Sequence, residues 1–456
     1  GDHECEVAEI IRAEHPDAFV CTSNEIMAKL GEHPRTSTTV INAALVPVVR
    51  EYLTDLADRL GRMGYDNNVL AMHSGGGVMT ADAIAYYAAR IANSGPTAGA
   101  IASTFIAEQC DFQNVIGFDM GGTSTDVSLT YQGAIEMTNE WAVESGYPIN
   151  FPSTDIETIG AGGGSIAWID RGGSLRVGPQ SQGADPGPAC YQRGGDRPTI
   201  TDANVLLNWL SPDSFIGGDM EASSEPSREA IERKIADPLG LDPIEAAMAI
   251  EEIGLASMGN AVRLISTRKG IDPRDFALVA FGGAGPVHAP FVARQMNIPT
   301  VIVPPHPGIN SALGCLLVDV EHDLSKTFIA DADADVVGDV EAEFREMESK
   351  IRDRLVNEGV DDADVRIERE LRMRYRGQWR SLDVPCARPL TELETVQERF
   401  HTEHDRMFDY LDRDKRVTIH ALQVTGIGPV EKPSLPPIDT QGTADSARTG
   451  DRKSVV

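Results

Sequence analysis

The segment Phe118-Asp119-Met120-Gly121-Gly122-Thr123-Ser124-Thr125-Asp126 gathers two carboxylates and two hydroxyls around a glycine turn. Residues 114–118 read as a buried strand that delivers Asp119 to the turn, and residues 127–130 read as its hairpin partner. Glycines at 121 and 122 expose consecutive backbone N–H groups, which with the Thr123 and Ser124 hydroxyls form a nest for phosphate oxygens. Asp119 then stands where a divalent cation, keeping several of its waters, would bridge to the phosphates. The plainer alternative is a tight hairpin whose glycines take positive φ and whose aspartate only caps the turn.

A second segment, Ala280-Phe281-Gly282-Gly283-Ala284-Gly285-Pro286-Val287-His288, reads as a strand ending in a glycine turn ahead of a helix. Such a turn lets a flat ring approach the backbone and sets a helix N-terminus near phosphate, although plain strand-to-helix connections also use glycine. His288 reads as a structural histidine, since a neutral imidazole readily finds local hydrogen bonds. The run Ile159-Gly160-Ala161-Gly162-Gly163-Gly164-Ser165 is either a flexible linker or a loop ordered around substrate or nucleotide; the strand-like residues 166–169 directly after it favour the loop. Asp185-Pro186-Gly187-Pro188-Ala189-Cys190-Tyr191 and Thr201-Asp202-Ala203-Asn204 also stand out, with Asp202 either capping a helix or meeting a ligand.

Alternating elements must hold these segments. Helical spacing runs through residues 6–11, 37–62, 99–108, 243–269 and 287–296, and short apolar runs at 18–23, 68–72, 276–281 and 300–303 read as strands. Residues 160–198 are rich in Gly and Pro and are expected to be dominated by loops. Past residue 330 the pattern becomes helix 340–358, strands 366–375 and 379–384, helix 392–410 and strand 417–424, a separate α+β domain. Beyond residue 432 the composition suits a disordered tail.

The charge is unusual: 70 Asp and Glu stand against 40 Lys and Arg, a net of −30 spread along the chain. That surface repels nucleic acid and anionic membranes, and it fits a chain adapted to a salt-rich cytoplasm. No apolar run approaches the roughly 18–20 residues of a membrane span, and Gly1-Asp2-His3-Glu4 is not a signal peptide, so a cytoplasmic chain is expected. Six cysteines lie far apart without a CxxC pair, which gives neither a zinc knuckle nor a disulfide framework.

Taken in order, these segments resemble the hydantoinase A / 5-oxoprolinase family. The likeness rests on Arg35-Thr36-Ser37-Thr38-Thr39-Val40-Ile41-Asn42-Ala43, Ser74-Gly75-Gly76-Gly77-Val78-Met79 and Asn93-Ser94-Gly95-Pro96-Thr97-Ala98-Gly99, together with the three glycine loops and the Asp185 and Asp202 segments. Arg374-Tyr375-Arg376-Gly377-Gln378 and the Phe400-His401 helix resemble the family's C-terminal domain. The resemblance implies an actin/sugar-kinase-like (ribonuclease H-like) two-lobed α/β ATPase. Residues 1–100 would be the remainder of the first lobe, 101–330 the second lobe, 331–430 the α+β domain and 431–456 the tail. It implies ATP with Mg²⁺ or Mn²⁺, the cation on Asp119, with Asp119 and Asp126 as catalytic carboxylates. Gly121, Gly122, Thr123 and Ser124 would hold phosphate, and Gly282, Gly283 and Gly285 would form the adenosine loop.

Family members phosphorylate an unreactive carbonyl oxygen, opening a cyclic amide of the hydantoin or 5-oxoproline type or activating a ketone for carboxylation. They commonly work with a hydantoinase B-type subunit. The family also begins with an Asp-Val-Gly-Gly-Thr hairpin that has no counterpart here before Ser37. The chain as given is therefore expected to bind ADP or ATP weakly without turnover, and a non-catalytic ATP-binding module is a further alternative.

Overall fold

A computed structural model describes residues 2–65, 67–139, 141–143, 146–213 and 222–433. The expected tail lies, from residue 434 on, outside the described residues. Among the described residues the chain divides into two compact units, one of residues 95–137 and 154–317, the other of residues 2–94, 138–153 and 318–432.

The first of these units is built on a six-stranded sheet whose five main strands run in the order Ile156–Ile159, Thr125–Tyr131, Val115–Met120, Ala277–Phe281, Thr300–Ile302, with the short Ala134–Ile135 also paired to Thr125–Tyr131. Thr125–Tyr131 runs antiparallel to both its neighbours, and the last two strands run parallel to the central Val115–Met120. Counted along the chain, this is the order 3-2-1-4-5 with the second strand reversed, the ribonuclease H-like arrangement. Ile116, Phe118 and Met120 are fully buried, and every residue of Ala277–Phe281 is buried, as expected of central strands covered on both faces. Helix Pro243–Ile265 packs on this core through Ala246, Ile250, Met258 and Val262. It starts where the pattern of Asp242, Pro243 and Glu245 predicts: the Asp242 side chain accepts from Ile244 N, Glu245 completes a capping box, and Pro243 occupies the first turn.

The other unit carries a six-stranded sheet in the order Leu70–Met72, Val78–Thr80, Val320–Asp331, Val417–Gly428, Arg366–Tyr375, Leu382–Pro385. Helix Val337–Asn357 packs beside it through Phe344, Ile351 and Leu355. A Cβ on Gly426 would come 2.0 Å from Ile351 Cγ2, so that strand position excludes any side chain. The stretch expected to stand alone after residue 330 thus shares a sheet with the 70–80 hairpin, joined where Val320 pairs with Val78.

Two local expectations change. Residues 18–23 form no strand; Thr22, itself in extended conformation, caps the short helix Ser23–Ile26. The twelve-residue strand Val320–Asp331 has no counterpart in the sequence reading, because its polar residues interrupt any apolar run.

Candidate functional site

The parallel pairing of Val115–Met120 with Ala277–Phe281 sets Asp119 beside Phe281, so both glycine turns emerge from neighbouring carboxyl ends. That edge is where ligands bind in open α/β sheets. The antiparallel partner places Asp126 directly across from Asp119. Burial, then the neighbouring Asp126, push the Asp119 carboxyl up to about 6. Burial raises Asp126 as well, while hydrogen bonds from the Thr158 and Ser124 hydroxyls pull it back; the Thr158 Oγ1 to Asp126 Oδ1 distance is 2.6 Å. Ser311 Oγ donates to Asp119 Oδ2 at 3.3 Å.

Residues 121–124 form the loop between the two strands. Gly121 N donates to Ser124 O at 3.1 Å, which takes that amide out of the expected nest. The Gly122, Thr123 and Ser124 amides make no backbone hydrogen bond among the described residues, and Gly122 and Thr123 are exposed. Cβ atoms added at Gly121 or Gly122 would meet nothing within 4 Å. The exposed tip of the loop, Gly122 and Thr123, therefore carries amides that the backbone does not use, while Ser124 N lies against Gly162.

The Gly160 run holds this loop from behind. Gly163 N donates to Gly121 O at 3.0 Å and Gly164 N to Gly122 O at 2.6 Å. Thr201 N and Oγ1 both donate to Gly163 O, at 2.7 and 2.8 Å. A Cβ at Gly162 would lie 2.6 Å from Thr123 C and 2.7 Å from Gly122 C, so the two backbones touch only because residue 162 is glycine. The linker alternative gives way to a packed clamp.

On the second turn, Gly282 has φ +78°, and its Cβ would fall 2.4 Å from Asp119 Oδ1. Ala284 N donates to Met120 O at 2.9 Å, fastening the two turns together. Helix Gly285–Met296 follows, while Gly283 faces open space. His288 is fully buried, 2.9 Å from Ala284 O, 3.2 Å from Asn204 Nδ2 and 3.3 Å from Glu251 Oε2, which fits its structural reading. Asp202 is likewise fully buried; it accepts from the amides of Ala189, Cys190 and Thr199 and from the Thr199 and Ser227 hydroxyls, leaving it no capacity for a ligand.

Asp119, Asp126, Gly121 to Ser124, Gly282, Gly283 and Gly285 thus lie on one sheet edge. The sequence reading passed over Thr158 and Ser311. A threonine on a two-faced strand carries no local signal, and the turn Pro304-Pro305-His306-Pro307-Gly308 is the only mark ahead of Ser311.

Chemically, the donor set suits phosphate beneath a hydrated cation. Two carboxylates crowd together, and no group of three or more His, Cys, Asp or Glu among the described residues could hold a metal. A cation that shares its shell with waters and phosphate oxygens, as Mg²⁺ does, fits this set; a wholly protein-caged one does not.

The family model described as Hydantoinase/oxoprolinase matches residues 35–324, and that described as Hydantoinase/oxoprolinase C-terminal domain matches residues 328–455. The chain is 37% identical over 448 residues to the uncharacterized protein MJ0964 of Methanocaldococcus jannaschii, covering 95% of this chain and 64% of that protein. It is 34% identical over 453 residues to the caprolactamase subunit alpha of Pseudomonas jessenii, covering 98% and 65%. The crystal structure of the ATP-dependent caprolactamase from that organism superposes with a TM-score of 0.84 at 32% identity, over 98% of this chain and 65% of that one. Nucleotide-free acetone carboxylase superposes with a TM-score of 0.78 at 26% identity, over 95% and 64%. The chain thus spans somewhat less than two thirds of these proteins' own length.

Proposed function

The chain belongs to the hydantoinase/oxoprolinase family, and from that premise we propose that it binds ATP and serves an enzyme that phosphorylates the carbonyl oxygen of a cyclic amide so that the ring opens. The observation that carries this reading is the Asp119–Asp126 pair at the ends of the strands joined by the loop 121–124, whose amides at 122–124 the backbone leaves unused. In the proposal, the unit of residues 95–137 and 154–317 is the second ATPase lobe, with the Asp119 hairpin on the phosphates and Gly282, Gly283 and Gly285 along the adenosine half.

ATP, when bound, supplies the phosphoryl group that turns an amide oxygen into a leaving group. The Gly122, Thr123 and Ser124 amides hold phosphate oxygens and stabilise the charge that develops on them. Asp119, with Asp126 across the hairpin, supports a hydrated Mg²⁺ or Mn²⁺, which would remove the mutual repulsion of the two carboxylates. The clamp of residues 162–164 keeps the donors aimed before the nucleotide arrives. Water then attacks the activated carbon, the ring C–N bond breaks to release the amine and leave an acyl phosphate, and a second water hydrolyses that acyl phosphate to a carboxylate and phosphate. A hydantoinase B-type partner subunit and a cytoplasmic setting belong to the proposal; no described helix is long and apolar enough to cross a membrane.

A second reading, an acetone- or acetophenone-type carboxylase subunit, is favoured by the superposition on acetone carboxylase. One assay separates the readings. With the partner subunit present, ADP release should depend on 5-oxoproline, hydantoin or caprolactam for the hydrolase, and on a ketone plus bicarbonate for the carboxylase. ADP release that responds to neither leaves only an ATP-binding module. Asp119→Asn should lower turnover by about 10²–10³-fold, as other losses of transition-state electrostatics do, and near-normal turnover would remove Asp119 from the mechanism.

A further inference from the structure

The unit of residues 2–94, 138–153 and 318–432 holds a charged cavity that the nucleotide reading does not use. It measures about 90 Å³, and its lining includes Met27, Lys29, Met79, Arg90, Phe151 and Ser325. Lys29 is only 9% exposed, and its ammonium makes no hydrogen bond or ion pair among the described residues.

The neighbouring charges are already matched. Arg90 binds Asp323 through both terminal nitrogens, with Nη2 to Oδ2 at 3.0 Å, and lies 4.4 Å from the Phe151 ring centroid. Arg372 holds Asp383 at 2.6 Å, and Glu25 on the rim is held by Arg12 at 3.1 Å. Arg354, also in the lining, adds positive charge. The cavity is therefore short of a negative charge by at least the charge of Lys29. Two further polar atoms at the lining, Ser325 Oγ and Arg90 Nε, are buried without any partner. Orphaned donors, and an ammonium without a direct partner on a side chain only 9% exposed, are costly, and one bound acceptor group would relieve both.

Size and lining narrow the occupant. An engineered cavity of about 150 Å³ takes benzene, so about 90 Å³ suits a molecule of a few heavy atoms rather than a ring. Met27, Met79 and Phe151 offer apolar surface opposite the donors. We propose that this cavity is a binding site for a small organic monoanion of the carboxylate class, the size of formate or acetate, with its oxygens on the Lys29 ammonium and Ser325 hydroxyl and its carbon end against Met27, Met79 and Phe151. Burial lowers the Lys29 ammonium to about 8, which still leaves it mostly charged at neutral pH.

The test is calorimetric titration of the purified chain with sodium acetate and sodium formate in low-chloride buffer. Saturable binding is expected. K29M should weaken it about tenfold or more, in the range seen when one partner of a buried charge contact is truncated. S325A, which keeps the charge, should weaken it by a smaller factor, and ATP binding should be unchanged in both. Methionine is unbranched and similar in length, so K29M should keep the fold; if it does not, S325A and protection of Lys29 from acylation by acetate in the wild-type chain decide. No saturable binding, equal binding in wild type and variants, or displacement of acetate by an equal concentration of chloride would overturn the assignment.

Discussion

At Asp119 a buried strand runs out into an open turn, and the ionisation of its side chain registers that position. Its carboxyl, pushed up to about 6 by burial and by Asp126, lies above the ordinary 3.8 that it regains on unfolding. The fold therefore favours the neutral acid. The stability this lends is fully present below about 3.8 and is lost as pH rises through 6. Asp119→Asn, which cannot ionise, should accordingly stabilise the ligand-free chain at pH 8 by up to about 2–3 kcal/mol, since a tenfold change in proton affinity is worth about 1.4 kcal/mol, and the gain should shrink toward pH 4. Denaturant unfolding at the two pH values measures it, and an equal effect at both would mean that Asp119 is not strained by its surroundings. Residue types alone singled out this aspartate as a candidate, because a carboxylate ending an apolar strand before two glycines could meet a cation as well as cap a turn. They left Asp202 open between capping a helix and meeting a ligand, because its five hydrogen bonds come from segments brought together only by the fold.

Among the elements, the three glycine loops differ in what their glycines are for, and substitutions should separate them. Gly283→Val meets nothing within 4 Å and φ there is not left-handed, so the fold should persist while ATP binding weakens. Gly162→Ala forces a Cβ to 2.6 Å from the Thr123 backbone and should instead lower the melting temperature along with nucleotide affinity. Calorimetry with ATP beside thermal unfolding distinguishes the two; a Gly283→Val chain with unchanged affinity would return that loop to structure. Both strand-to-turn units and the long helices were legible, because 3.6-residue spacing and apolar runs flanked by glycine are local signals. The clamp role of residues 162–164 was not, since it lies in bonds to a loop about 40 positions earlier. Nor was strand Val320–Asp331, where Glu321, His322, Asp323 and Lys326 interrupt the apolar pattern; burying Asp323 there depends on Arg90, far away in sequence.

For the whole molecule, the charge of −30 makes salt the governing variable. Self-repulsion should destabilise the chain in dilute buffer, and molar potassium chloride, with a Debye length of about 3 Å, should screen it and raise the melting temperature. A flat or falling trend would remove the case for adaptation to salt. The units also have a temporal order that their sequence division imposes. Val78 waits for Val320 as its sheet neighbour, and the strand beside that, Val417–Gly428, comes later still. At about 5–20 residues per second of synthesis, the 70–80 hairpin spends roughly 10–50 s with a bare edge, while residues 95–137 and 154–317 already have all their sheet partners. On the ribosome the unit of residues 95–137 and 154–317 can be finished while the other sheet holds two of its six strands, and an edge left bare for that long invites pairing with another chain.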